Sequence, residues 1–326
     1  MTFIACLVAA TGCRSEDKPK PPPLPIDGIE VVQPGQEPRA LRYTLAASTT
    51  TPLELAMDLD LKTLDADMKL PTMVMAIDVA VTGVEQTVAQ LKMTVLSATA
   101  RSRVSKDEPS PEPVEVGSGS STSSMGSGSS AGSGSGASTV SPAEQEKRTL
   151  IVMKRQANLL SGLAVTYTLT PQGHVKDSKV ETVGRDLSTP MQDQVTTLLQ
   201  ASEQLAMALP DKPVGVGAIW KHRRTIKQNQ LTLVSMTTVE VTAIDGDRVS
   251  FKSKTEMTGA DQTIAQGSAS AQVTAIRGTG AQTGTFDLGK AIVLGEQQAT
   301  LSFEMNADGQ RRPTKVAITT RISPRE

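Results

Sequence analysis

The sequence predicts an α+β protein, predominantly antiparallel β, made of two related curved β-meander units, half-barrel-like in outline, with one long connecting helix. Three observations predict it. Runs of strict apolar–polar alternation are joined by short connections, a hairpin recurs at a fixed offset, and one stretch carries a clear helical stripe.

The alternation begins with Leu53, Leu55, Met57, Leu59 and Leu61 on one side and Glu54, Asp58 and Asp60 on the other, as in a strand covered on a single face. Met73 to Val81 and Leu91 to Val95 repeat it, so consecutive antiparallel strands are expected. Residues 117–138 are almost wholly Gly and Ser, a composition that cannot bury enough apolar surface to fold. Gly128-Ser129-Ser130-Ala131-Gly132 within it spells G-x-S-x-G, but a nucleophile elbow needs a strand before it and a helix after it, so the match is chance. Pro142 to about Leu160 is a candidate helix. The long helix is predicted to start at the cap Thr189, with Pro190 in the first helical position and Gln192 completing a capping box. Met191, Val195, Leu198, Leu199, Leu205 and Leu209 form its stripe, read as a face packed on the sheet, and Pro210 ends it.

Beyond Pro210 the expected strands are Ile219–Ile226, Leu231–Ile244, Arg248–Met257, Ala269–Ile276, Thr283–Leu288, Ala291–Leu294, Ala299–Met305 and Thr314–Ile322. Tyr167, Leu169, Gly173, Lys179 and Val180 recur 136 residues later as Phe303, Met305, Gly309, Lys315 and Val316. A second pairing sets Tyr43 and Leu55 against Trp220 and Leu233. The organisation that follows is a signal peptide over 1–12, a tether over 13–38, a first β-rich unit over 39–209 and a second over 210–326. The first unit includes a flexible Gly/Ser-rich insertion at 103–148 and the helix at 189–209.

The amino terminus carries an address. An apolar run from Phe3 to Ala10 leads to Thr11, Gly12 and Cys13, followed at once by the charged stretch Arg14 to Lys18. This resembles the lipobox of bacterial lipoproteins, and the resemblance implies cleavage before Cys13 and diacylglycerol on its thiol. Cys6, the rival acceptor, is followed by more apolar residues instead of a polar tether. No Lys or Arg precedes the apolar run, which leads to the expectation of a basic segment upstream of Met1. The apolar run falls short of the roughly 20 residues that span a bilayer. Arg14, where inner-membrane retention would favour Asp, points to the outer membrane, with the protein facing the periplasm or the cell surface. The Pro-rich stretch that follows, with Pro21, Pro22, Pro23 and Pro25, reads as an extended spacer.

Leu209-Pro210-Asp211-Lys212-Pro213-Val214-Gly215-Val216-Gly217-Ala218-Ile219-Trp220 is similar to a motif of an uncharacterised group of exported bacterial proteins, Pro-Val-x-Val-Gly-x-x-Trp. The similarity covers Leu41 to Ile322 and implies no activity. Physically, Trp220 is a large anchor for a core poor in aromatics.

Composition excludes several functions. A formal net charge of -1 and a pI near 6.2 give no basic field for nucleic acid. Aromatics at 2% are too few for base-stacking platforms. Both cysteines, Cys6 and Cys13, lie in the leader, so no disulfide framework forms. With only His174 and His222 and no mature cysteine, neither a metal site nor a cofactor is expected. Asp58, Asp60, Asp65 and Asp67 read as a solvated face, and Lys221-His222-Arg223-Arg224 as surface. No catalytic residues emerge. The expectation is a lipid-anchored, non-enzymatic binding or interaction module of the cell envelope, its partners being the membrane through Cys13 and a hydrophobic ligand or envelope protein. The alternative is a periplasmic carrier or chaperone for lipid or lipoprotein, with an apolar groove under a helical lid. The oligomeric state is left open.

Overall fold

A computed structural model describes residues 28–64, 66–103, 142–181, 205–228, 231–266, 269–307 and 310–326. Its first half runs β1 (Gly28–Gln33), β2 (Gln36–Arg39), β3 (Thr49–Lys62), β4 (Asp67–Lys69), β5 (Thr72–Glu85), β6 (Val88–Arg101), α1 (Pro142–Asn158), β7 (Ala164–Leu169) and β8 (Val175–Glu181). The second runs β9 (Val214–Val216), β10 (Ile219–Gln228), β11 (Leu231–Asp245), β12 (Arg248–Thr258), β13 (Gln262–Gln266), β14 (Ala269–Asp287), β15 (Ile292–Ala307) and β16 (Gln310–Pro324). The protein is therefore α+β and mostly antiparallel strand, with a single helix among the described residues.

Fourteen strands make one open antiparallel sheet in the order β1-β10-β11-β12-β14-β15-β16-β3-β5-β6-β7-β8, with β13 beside β14 and β4 beside β3. β2 and β9 form a separate two-stranded sheet. Two meanders of the same strand order, β3-β5-β6-β7-β8 and β11-β12-β14-β15-β16, meet where β16 pairs with β3. The recurring hairpin is the last pair of each meander, β7–β8 and β15–β16. One main hydrophobic cluster draws on both, from Leu53, Ile77, Leu91 and Val165 to Trp220, Val239, Phe251 and Phe286.

At one end of the sheet, two connecting segments thread through this core and bond to both meanders. The Tyr43 amide donates to Pro171 (2.8 Å) and that of Leu209 to Gln172 (2.8 Å) in the β7–β8 turn. The Thr44 amide donates to Leu288 (2.9 Å), and the Val293 amide donates to Leu205 (2.8 Å), at the β14–β15 connection. Tyr43 packs edge-tilted on Phe286 with ring centres 6.3 Å apart, and Phe286 on Phe251 at 5.8 Å. Gly173 has φ +81°, and a side chain there would run into the Met207 carbonyl and the Tyr43 ring, so only glycine fits this turn.

Several boundaries differ from the sequence expectations. Cys13, Cys6 and the whole leader lie outside the described residues, but the tether expected over 13–38 ends earlier. Residues 28–33 are β1, because Ile29 and Val31 pack on the core beside Trp220. Most of the helix expected over 189–209 also lies outside them; within it, 205–209 are not helical. Leu205 and Leu209 are buried while their backbone is bonded away to other segments, which a helix could not provide. The insertion expected over 103–148 is shorter at its end, since α1 begins at Pro142. The four short strands expected between Ala269 and Met305 are two long ones. Gly278, Gly280, Gly284 and Gly295 do not break them, because both ladders continue through these positions. Gly295, at φ +140° opposite Gly284, marks a bend in a continuous pair.

Candidate functional site

Residues directly opposite in neighbouring strands share a face, so the registers divide the large sheet into an inner face that holds the core and an outer one. Charge is segregated between them. Every Asp and Glu of β1, β3, β5, β10, β11, β12, β14, β15 and β16 falls on the outer face. The charged or titratable side chains on the inner face of these strands are His222, Arg224 and, at the rim, Arg312. Alternation thus splits the basic cluster at 221–224, with Lys221 and Arg223 outside and His222 and Arg224 inside. Both inner residues make interactions within the protein.

The outer face is knitted by ion pairs. Asp58 receives Arg321 (2.9 Å), Arg103 (3.4 Å) and the Thr72 hydroxyl (2.6 Å); Arg321 also reaches Glu296 (3.0 Å), and Arg103 pairs with Asp60. Burial pushes the Asp58 carboxyl up, but the Thr72 and Arg321 hydrogen bonds and the two guanidinium charges outweigh it and hold the carboxyl below its usual range. Glu296 is lowered by hydrogen bonds from Gln298 and Arg321. This cluster ties β15, β16 and β3 together at the seam between the meanders. Asp58 and Asp60 are therefore ion-paired, where the sequence suggested plain solvation; Asp65 lies outside the described residues, and Asp67 meets Lys62 at 3.5 Å.

The inner face differs between the meanders. On β3, β5, β6 and β7 it is apolar apart from Tyr167 and, at the start of β3, Thr49 and Thr51: Leu53 to Leu61, Met73 to Val81, Leu91, Met93, Val95, then Val165 and Leu169. Burial raises the Tyr167 and Tyr43 hydroxyls well above the ordinary tyrosine range, an effect that the Met207 hydrogen bond offsets only in part for Tyr43.

On β10 to β15 a polar band crosses the inner face between two apolar zones. One zone belongs to the main core, with Trp220, Val239, Phe251 and Phe286. The other is a smaller cluster of Leu233, Val273 and Ile276, with Ile226, Leu301 and Phe303 packed against it. Between them lie Ser235, Thr237, Ser253, Thr255, Gln282 and Gln297. Ser235 is 2% exposed and Ser253 6%. Thr237 and Thr255 bond to one another at 2.9 Å. Trp220 is fully buried in the same register row as Ser253, and its indole N–H has no acceptor among the described residues. Buried polar groups are nearly always paired, so the unpaired Trp220 indole, on the same face as the buried Ser235 and Ser253, marks a feature that packing alone does not explain.

The sequence expectation found the strands of this band but not the band, since its signal is only which Ser, Thr and Gln share parity across four strands. His174 sits in the β7–β8 turn, its amide on the Thr170 hydroxyl, far in register from His222. No three metal-ligating side chains converge among the described residues. A cleft of about 350 Å³ opens at the sheet end near Thr50, Arg248, Asp287, Lys290 and Pro324, and one of about 270 Å³ lies beside Glu30, Lys221 and Arg223. Neither is lined by the polar band. No protein family matches the chain, and no curated protein matches it either.

Proposed function

We propose that this chain is a non-enzymatic binding module of the cell envelope, held on the outer membrane by lipid on Cys13, with the inner face of its second meander as the binding surface. One observation carries the reading. The buried Trp220 indole N–H has no acceptor among the described residues and lies, with the buried Ser235 and Ser253, on a face free of carboxylates and between two apolar zones. Such groups cost stability unless a partner completes them, and a bound molecule is the partner that would do so. The lipobox-like Phe3 to Cys13 run supports the anchor.

Two measurements test it. Metabolic labelling with an acyl precursor is expected to mark the wild type and Cys6→Ser but not Cys13→Ser; label lost only from Cys6→Ser would move the anchor. Native mass spectrometry of protein drawn gently from membranes is expected to carry a second mass, absent after the inner-face substitution Ser253→Val. A second mass unaffected by that change would move the binding surface elsewhere.

The carrier of lipid or lipoprotein is the second reading. It is favoured by the partly exposed aliphatic strip of Leu59, Leu61, Val316 and Ile318, which continues the same inner face across the seam. A carrier is expected to move a labelled lipid from donor to acceptor vesicles; a module that only binds retains its ligand.

A further inference from the structure

We infer that the inner face binds a single-chain amphiphile with an anionic head, lying crosswise to the strands. The inference rests on the reading of this face as the binding surface and adds the ligand class and its orientation. The register gives the path. One row of directly opposed residues runs His222, Thr237, Thr255, Gly280, Ala299, Ile318 and Leu59. Chemistry changes in order along it, from a titratable ring through hydroxyls and two small residues to aliphatics. The row on one side runs Trp220, Val239, Ser253, Gln282, Gln297, Thr320 and Met57, and also passes from donors to an apolar end.

The head end is rich in donors. The Trp220 indole can only donate and has no acceptor among the described residues, the Ser235 and Ser253 hydroxyls lie on the same face, and the Thr237–Thr255 pair leaves one hydroxyl hydrogen to give. Their complement is an acceptor with several oxygens, a carboxylate or a phosphate. No carboxylate on the inner face of these strands repels it, and His222 and Arg224 at that end, although engaged within the protein, bias the local potential in its favour. In the middle, Gly280 and Ala299 leave the sheet low. At the far end Ile318, Leu59 and their neighbours Val316 and Leu61 are only partly buried, so their aliphatic surface is open to a chain. Six strand intervals of about 4.8 Å make the row roughly 29 Å long, against about 15 Å for the acyl layer of one bilayer leaflet. Head and chain both fit.

The test uses the full folded chain and its single tryptophan as the internal reporter. Trp220 lies in the same register row as Ser253, two strand intervals away. Dansylaminoundecanoate, an acyl carboxylate, is titrated while Trp220 is excited, and saturable sensitised dansyl emission is expected. Oleate and lysophosphatidylglycerol are the competitors: displacement by the first alone assigns a free carboxylate head, by the second alone a lipid phosphate, and by both the shared anionic chemistry. Ala299→Phe, which obstructs the row, and Ser253→Val, which removes a donor, are each expected to weaken the probe about tenfold. Ala281→Phe, on the exposed outer face of β14 between those two strands, is expected to leave it unchanged.

Absence of saturable emission from the folded wild type, or displacement by neither competitor, overturns the amphiphile. Equal binding by wild type and Ala299→Phe, or equal weakening by Ala281→Phe, overturns the path. A water-soluble mass retained by the wild type in native mass spectrometry and released by Ala299→Phe would overturn the ligand class yet leave the binding surface standing. If inner-face substitutions alter neither probe nor retained mass, both fall.

Discussion

The two meanders follow one strand order but treat their inner faces differently. Along β3 from Leu53 onward and along β5, β6 and β7 the face is an apolar wall with Tyr167 its one polar side chain, and Ile77, Leu91, Met93, Val95 and Val165 are all at or below 2% exposure. Along β11, β12, β14 and β15 the equivalent surface is broken by Ser235, Ser253, Thr255, Gly280 and Gln282. A sheet that needed only to cover a core would gain by making both faces alike, since apolar burial stabilises and an unpaired hydroxyl does not. The first face is thus built for stability, and the second gives some up, as the proposed binding surface would.

The strongest test of that contrast is a deletion in the aliphatic wall. Leu91→Ala is expected to cost about 2–5 kcal/mol, read from urea unfolding, because the side chain is 1% exposed and the surrounding strands cannot collapse around the void. A loss under about 1 kcal/mol would mean that the wall is loosely packed and that the two faces do not differ in kind. Tyr43→Phe comes next. The Tyr43 hydroxyl donates to the Met207 carbonyl (3.1 Å) and accepts from the Met207 amide (3.0 Å), so removing it leaves two backbone groups unmatched. About 1–3 kcal/mol is expected, together with loss of protection of the Met207 amide in hydrogen exchange. Since burial raises this hydroxyl's pKa in the fold, its contribution is complete below the ordinary tyrosine value near 10 and falls as pH rises past it.

The seam between the meanders is expected to respond to acid. The folded pKa of Asp58 lies below its ordinary value, so its contribution is present above the usual carboxylate range and is lost as pH falls through the folded pKa. Asp58→Asn should therefore unfold at lower urea than the wild type at pH 7, with the gap closing as pH falls below the usual carboxylate range. A gap constant with pH would show that the Arg103 and Arg321 charges do not act on this carboxylate.

How much of this was legible in the sequence follows from the range of each signal. The strands around Leu53 to Leu61 and Met73 to Val81 were legible because alternation is written in adjacent residues. The unbroken course of β14 was not, because Gly278, Gly280 and Gly284 punctuate a strand locally while partners on both sides hold it extended. The stripe from Met191 to Leu209 continued on paper into Leu205 and Leu209, but their segment is held by bonds from Leu205 to Val293, Met207 to Tyr43 and Leu209 to Gln172, none of them near in sequence. The polar band was the least legible feature. Ser235, Ser253 and Gln282 are ordinary residues until the registers align them, and a one-residue slip in any of those strands would have sent its member of the band to the outer face.

The smallest expected effect bears most directly on what the second face is for. Ser235 is only 2% exposed and sits in the middle of the polar band. If the hydroxyl awaits a ligand, Ser235→Ala removes a desolvated group with nothing to lose in the free protein, and unfolding should be unchanged or later by up to about 1 kcal/mol. The corresponding loss belongs to binding, so the same variant should release the dansyl probe more readily than the wild type. If Ser235→Ala instead destabilises the free protein, the hydroxyl is already satisfied within the fold, and the second meander is a core face like the first. Stability and binding moving in opposite directions at one oxygen is what separates a recognition surface from a packing defect.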